Sequence, residues 1–209
     1  MPKGSQELTH QRRDEIIAAC AKLYETMSFK DITIKEIGSA TSFTRTSIYN
    51  YFQTKEEIFL ALLQREYEWW VDDLSELLKT REALSKKELA REISLSLERR
   101  ERLLKLMSMN HYDMEANSRA ETLAAFKRAY VASIRAVDEC LRKYCPSMAK
   151  EGRQEFTYAF FPFVYGVYPY SVVTEKQRKA MEEAGVPFVY HSIFELVNNC
   201  VLRLLDAND

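Results

Sequence analysis

Two neighbouring stretches, Thr33-Ile34-Lys35-Glu36-Ile37-Gly38 and Thr44-Arg45-Thr46-Ser47-Ile48-Tyr49-Asn50-Tyr51-Phe52-Gln53-Thr54-Lys55, decide how this chain is read. Thr33 followed three residues later by Glu36 is the signature of a capping box, so a short helix opens there and ends near Ala40. Thr44 is the next N-cap and opens a helix over Arg45–Phe52, and Thr54 caps another beginning at Lys55. Two short helices joined by a tight turn are the unit that places a helix in the DNA major groove. Ile37, Ile48 and Phe52 are spaced to form the core of that unit. Arg45, Thr46, Ser47, Tyr49 and Asn50 then stand around Ile48 as groups able to hydrogen-bond. Arginine pairs with guanine and asparagine with adenine in the major groove. Lys55 is placed to hold a backbone phosphate.

The rest of the chain reads as helices as well. Ile16, Cys20, Leu23 and Met27 mark a first helix from about Thr9 to Met27. The helix opened by Thr54 continues through Leu62, Trp69, Trp70 and Leu77. Ser85 with Glu88 caps a helix that runs on to Met107, and the polar stretch Asn110–Ser118 interrupts the pattern. Leu123, Phe126, Tyr130, Val137 and Leu141 form a helix ended by Pro146. Glu151–Val173 is aromatic-rich and broken or kinked at Pro162 and Pro169. Lys176–Glu183 stops at Gly185 and Pro187, and Phe188–Leu205 closes the chain. No useful strand alternation occurs. The expected fold is all-α, with about nine helices: a helix-turn-helix head over 1–53 and a helical body over 54–209, joined by the fourth helix.

Composition narrows the function. In 209 residues the net charge is −1, so the chain as a whole does not attract nucleic acid. Residues 1–55 hold eight basic and six acidic side chains, hence +2, and the remainder −3. That is the sign a DNA-binding head needs. The cysteines Cys20, Cys140, Cys145 and Cys200 have no Cys-x-x-Cys spacing and read as reduced, buried thiols of a cytoplasmic protein. No signal peptide is visible, and no stretch reaches the about eighteen apolar residues of a membrane helix. His10, His111 and His191 are remote from one another and no metal-ligand spacing exists, so no metal, cofactor or catalytic residue is expected.

Residues 13–63 resemble the DNA-binding head of the TetR (tetracycline repressor) family. The resemblance rests on Ile16, Ala19, Leu23 and Tyr24, on Phe29, Thr33 and Ile37, on Ile48-Tyr49-x-Tyr51-Phe52, and on Lys55-Glu56-Glu57-Ile58-Phe59. It implies phosphate contacts from Thr33, Thr44, Tyr49, Tyr51 and Lys55, and base-edge positions for Lys35, Arg45, Thr46 and Asn50. It also implies a basic arm of Lys3, Arg12 and Arg13. The chain departs from the family at Ser28, at Thr41-Ser42 and at Thr46, where glycine or Ala-Gly is usual. Ser42 is therefore expected to take a positive φ.

The body carries eight aromatics within 156–170, interrupted by Pro162, Gly166 and Pro169. Kinks and aromatic walls suit an apolar ligand, while the same side chains also suit plain packing. The candidate ligand wall is Tyr112, Phe126, Tyr130, Tyr158, Phe161, Tyr165 and Tyr168. Tyr158 and Tyr165, seven residues apart, are expected on one side. Asn110-His111-Tyr112-Asp113 forms either a polar pocket end or a solvated loop. The last helix is apolar on more than one side, which suggests a two-fold partner. The resemblance places that homodimer interface at about 151–173 and 188–205. The aromatic run is also similar to TetR-like proteins of Gram-positive bacteria, which names no effector. The reading is a bacterial homodimeric regulator, a repressor of a palindromic operator, released by a small, largely apolar effector. Its rivals are a ligand-independent regulator and an all-α binding protein with a vestigial helix-turn-helix.

Overall fold

A computed structural model describes the backbone of residues 3–109 and 111–207, and the side chains of 6–109 and 114–207. Among these residues the chain forms eleven helices and no strand, so it is all-α as expected. They are α1 (Lys3–Thr26), α2 (Ile34–Ser39), α3 (Arg45–Ile48), α4 (Lys55–Thr80), α5 (Lys86–Glu98) and α6 (Glu101–Met107). Then follow α7 (His111–Ala116), α8 (Ala120–Tyr144), α9 (Lys150–Ser171), α10 (Glu175–Glu183) and α11 (Ile193–Ala207).

The expected nine helices become eleven for two local reasons. The helix capped by Ser85 and Glu88 stops at Arg99, because Arg100 is pulled out of it. The Arg100 guanidinium makes a two-pronged ion pair with Asp73, at 2.8 and 2.9 Å, and donates to the Trp69 carbonyl. The expected interruption at Asn110–Ser118 contains the short helix α7. Three further boundaries differ. The first helix starts at Lys3 rather than Thr9. The last starts at Ile193 rather than Phe188, where Ser192 and Glu195 cap it reciprocally. The third ends at Ile48 rather than Phe52.

The chain packs as two compact units. The first comprises 1–65 together with 110–129, and the second 66–109 with 130–209. The expected division at residue 53 thus differs from the packing, because the first turns of α4 and the α7–α8 segment join the head. The division falls inside α4 and inside α8, and each of these helices is unbroken across it.

In the first unit, Ile16, Cys20, Ile32, Ile37, Ile48, Phe52 and Phe59 are fully buried. The Phe59 ring meets Tyr24 and Phe29 edge-on, at 5.2 and 4.8 Å between centroids. Gly38 admits the close approach of α2 to α3: a side chain there would stand 3.1 Å from the Arg45 Cα.

In the second unit α11 packs on α5 and α9, and α6 packs on α9. Trp70 is fully buried and donates its indole N–H to Ser96 Oγ at 3.0 Å. Helix α9 runs unbroken through Pro162 and Pro169, each of which removes a helical N–H donor without ending the helix. Helix α10 buries none of its residues and stops in a Schellman motif: Gly185 takes φ 64°, and the N–H groups of Gly185 and Val186 reach the carbonyls of Glu182 and Met181. Cys20, Cys140 and Cys145 are buried free thiols and Cys200 is half-buried. Burial pushes the Cys140 thiol up to about 12, which keeps it protonated at neutral pH.

Candidate nucleic-acid interface

The head presents its polar groups on a firm apolar base. On α3 and its exit, Thr44, Arg45, Thr46, Tyr49 and Asn50 are exposed while Ile48, in their midst, is fully buried. Thr33 and Lys35 on the α2 side are exposed as well, and Ser47, Tyr51 and Lys55 are half-buried. The Thr33 hydroxyl accepts the N–H groups of Lys35 and Glu36 and donates to the Glu36 carboxylate. The Glu36 side chain therefore takes the hydroxyl instead of the backbone N–H that a complete capping box would use. Thr44 makes no side-chain cap. Its hydroxyl meets Ser47 Oγ at 3.0 Å.

The shortness of α3 follows from what its last carbonyls bond. Beyond Ile48 the backbone tightens, with Asn50 and Tyr51 donating to carbonyls three residues back. The Tyr51 carbonyl leaves the helical ladder and accepts two guanidinium donors, Arg13 at 3.2 Å and Arg119 at 3.3 Å. Phe52 then turns into the core under the Arg13 guanidinium, 4.5 Å from its ring centre.

Three sequence expectations change here. Arg12 and Arg13 form no free arm: both lie in α1, Arg13 is held as described, and Arg12 sits over Phe43 and donates to the Tyr51 hydroxyl. The Lys3 side chain lies outside the described residues. Ser42 does not need a positive φ, since no described residue other than glycine has one. Its N–H and hydroxyl instead donate to the Glu15 carboxylate, which ties the α2–α3 turn to α1. The Lys55 ammonium is already engaged within the head. It donates to the carbonyls of Phe29 at 2.8 Å and Ile32 at 3.2 Å, over the Phe29 ring.

Sequence reasoning missed Glu57 as a centre of the site. Its side chain is 1% exposed and takes four N–H donors: Gln53 N, and N, Nε and an Nη of Arg119. Burial pushes this carboxyl up, but the Arg119 and backbone donors outweigh it and hold the group below the ordinary glutamate value. Burial, then the Arg119 charge, lowers Arg13. The position of Glu57 three residues after Thr54 is the one local signal available, and the Glu57 N–H does bond the Thr54 hydroxyl at 3.2 Å.

In the second unit, part of the candidate ligand wall comes together. Tyr67, fully buried, meets Tyr130 edge-on at 5.8 Å, and Tyr130 meets Phe161 at 5.8 Å. The Tyr67 and Tyr165 hydroxyls are 3.3 Å apart. Burial and the neighbouring phenols raise Tyr67 well above the ordinary phenol value, so it stays a neutral hydrogen-bonding group. Burial also raises the half-buried Tyr130 and Tyr168.

Tyr158 does not join this cluster. It is 71% exposed, because α9 turns Phe156, Phe160, Phe161 and Val164 inward at that level. Phe126 is buried and belongs to the first unit, and the Tyr112 side chain lies outside the described residues. Pro162 and Gly166 instead line an open apolar groove of about 340 Å³ with Phe163, Val167, Tyr170 and Leu196. On α11, Ile193, Val197, Val201 and Leu205 are buried, leaving Leu196, Cys200 and Leu204 as a second, half-buried stripe. Among the described residues no group of acidic, histidine or cysteine side chains could hold a metal, and no helix is long and apolar enough to cross a membrane.

Comparison with known proteins gives this arrangement a family. Residues 16–62 match the family model described as bacterial regulatory proteins, tetR family. Residues 64–192 match the tetracyclin repressor-like C-terminal domain. The uncharacterized HTH-type transcriptional regulator YdgC of Bacillus subtilis (strain 168) is 30% identical over 88 residues, which span 42% of this chain and 45% of that protein. A TetR/AcrR-family regulator from Thermobifida fusca YX-ER1 superposes with a TM-score of 0.63 at 15% identity, covering 95% of this chain and 99% of that one. FadR of Bacillus subtilis, solved with stearoyl-CoA, superposes with a TM-score of 0.58 at 16% identity, covering 93% and 98%. With a helix-turn-helix head and a helical body that both match, the chain belongs to the TetR family of DNA-binding transcriptional regulators.

Proposed function

We propose that this chain is a homodimeric, ligand-responsive regulator, a repressor, that binds a palindromic operator in the bacterial cytoplasm. The observation that carries the reading is the exposed set Arg45, Thr46, Tyr49 and Asn50 around the fully buried Ile48. A helix so anchored can enter a major groove without rearranging its core, with Arg45 and Asn50 reading base edges. Thr33, Thr44, Ser47 and Tyr51 would contact phosphates, and Lys35 and Thr46 would approach the bases. The half-buried stripe on α11 and the groove beside Gly166 favour a two-fold partner across α9 and α11. A dimer that reads a palindrome needs its two recognition helices about 34–36 Å apart.

A small, largely apolar effector would act on the body at Tyr67, Tyr130, Phe161, Tyr165 and Tyr168. The Bacillus subtilis neighbour was solved with stearoyl-CoA, whose stearoyl chain is apolar and whose CoA part is charged. The effector switches the protein only by binding one body conformation better than another. One observation favours the rival, ligand-independent regulator: the inner rings pack directly on one another, with Trp70–Phe161 at 6.1 Å and Phe160–Phe161 at 5.7 Å.

The test of DNA reading is Arg45→Ala assayed on a preferred duplex and on its single-base variants. Loss of about 1–3 kcal/mol at particular base pairs, with relaxed choice there, is expected. An unchanged base preference would remove α3 as the reader.

A further inference from the structure

The α3–α4 turn is held by a segment that is remote in sequence and outside the helix-turn-helix. The Thr54 hydroxyl donates to the Asn117 carbonyl at 2.8 Å. Arg119, two residues on, donates its backbone N–H and Nε to one Glu57 oxygen at 2.9 and 2.6 Å. One of its Nη atoms donates to the other Glu57 oxygen at 2.9 Å and to the Tyr51 carbonyl at 3.3 Å. The same carbonyl takes Arg13 from α1. One peptide oxygen at the exit of α3 is therefore fixed between two guanidiniums, and the buried Glu57 carboxylate offsets one of their two charges.

We propose that Arg119 is a positioning residue for DNA reading. It touches no groove-facing side chain. It acts by fixing the Tyr51 carbonyl, one residue after the exposed Asn50, and by neutralising Glu57 at the start of α4. Without its side chain the Tyr51 oxygen keeps only Arg13, and Glu57 keeps only the backbone N–H groups of Gln53 and of residue 119 among its four donors. A buried carboxylate that loses its guanidinium must draw in water or take up a proton, and either loosens its grip on the turn. The presentation of Asn50 and Tyr49 then becomes variable, which costs base discrimination more than it costs phosphate attraction. The inference rests on the DNA-binding reading above.

The experiment uses the full chain and the duplex that the wild type enriches from random DNA, beside a scrambled duplex of equal length. Thermal unfolding establishes that each variant is folded at the assay temperature. Arg119→Met is expected to weaken binding to the enriched duplex about tenfold or more, while binding to the scrambled duplex changes by less than about twofold. Arg119→Lys keeps the charge without the fork and is expected to recover part of the lost preference. It also serves if Arg119→Met fails to fold. Glu57→Gln combined with Arg119→Met is expected to lose little beyond the single change, because the two side chains act as one unit. Equal weakening on both duplexes, or full preference retained in folded variants of a selective wild type, overturns this inference alone. A wild type with no preference at all sinks the DNA-binding reading and this inference with it.

Discussion

Glu57 and Arg119 lie 62 positions apart in the chain and meet through three hydrogen bonds of 2.6–2.9 Å. The carboxylate is buried at the first turn of α4, and the guanidinium is the last group before α8. An ion pair of this kind contributes little net stability compared with an apolar pair of the same shape, but breaking it is costly because one charge is left buried.

Acid should therefore expose the pair. The folded carboxyl titrates below its unfolded value, so its stabilisation is complete above about pH 4.3 and is lost as pH falls through the folded pKa. Thermal unfolding followed from neutral to acid pH should show a steep decline in that range. Glu57→Gln should be less stable at neutral pH and should decline less steeply. An identical acid slope in the two proteins would mean that the pair contributes no pH-dependent stability.

Lys55→Ala should lower stability by about 1–2 kcal/mol, because it removes two charge-assisted bonds to the α1–α2 turn. Denaturant unfolding measures this, and a salt titration of DNA binding measures the charge role. A full unit lost from the salt slope with unchanged stability would restore Lys55 as a free phosphate clamp.

Gly38→Ala sets two effects against each other. Alanine favours a helix over glycine by up to about 1 kcal/mol. The added methyl, however, would stand 3.1 Å from the Arg45 Cα, a backbone atom that can yield only if α3 shifts. Overpacking of this sort costs about 1–3 kcal/mol. Net destabilisation with weakened DNA binding is expected, and a variant of raised stability and intact binding would show that α2 and α3 are not closely apposed.

Tyr67→Phe removes the hydroxyl that meets Tyr165 and leaves the buried ring in place. Tyr165 is half-exposed and can turn to water, so the stability cost should stay near about 1 kcal/mol. The larger change should be in which ligands bind, since Tyr67 supplies a buried, neutral hydroxyl beside that of Tyr165. A stability loss of several kcal/mol would assign Tyr67 to core packing alone.

The helix punctuation was legible because it is local. Thr33, Thr54, Ser85 and Gly185 each act within a few residues of where they stand, and the buried trio Ile37, Ile48 and Phe52 follows from helical spacing. Ser192 with Glu195 carries the same capping pattern and marks the true start of α11. The Glu57–Arg119 pair was not legible, since no period connects positions 62 apart and Arg119 directly follows the stretch read as an interruption. Tyr158 shows the other limit. Its spacing from Tyr165 is correct for one helix face, but exposure depends on which neighbours cover each level of α9.

Selection of bound sequences from random duplex DNA by the purified full chain, at near-physiological salt, tests the regulator most directly. A palindrome whose half-sites are centred about 34–36 Å apart is expected, one half-site for each recognition helix of a dimer. Recovery of no sequence above the salt-sensitive background would contradict the account.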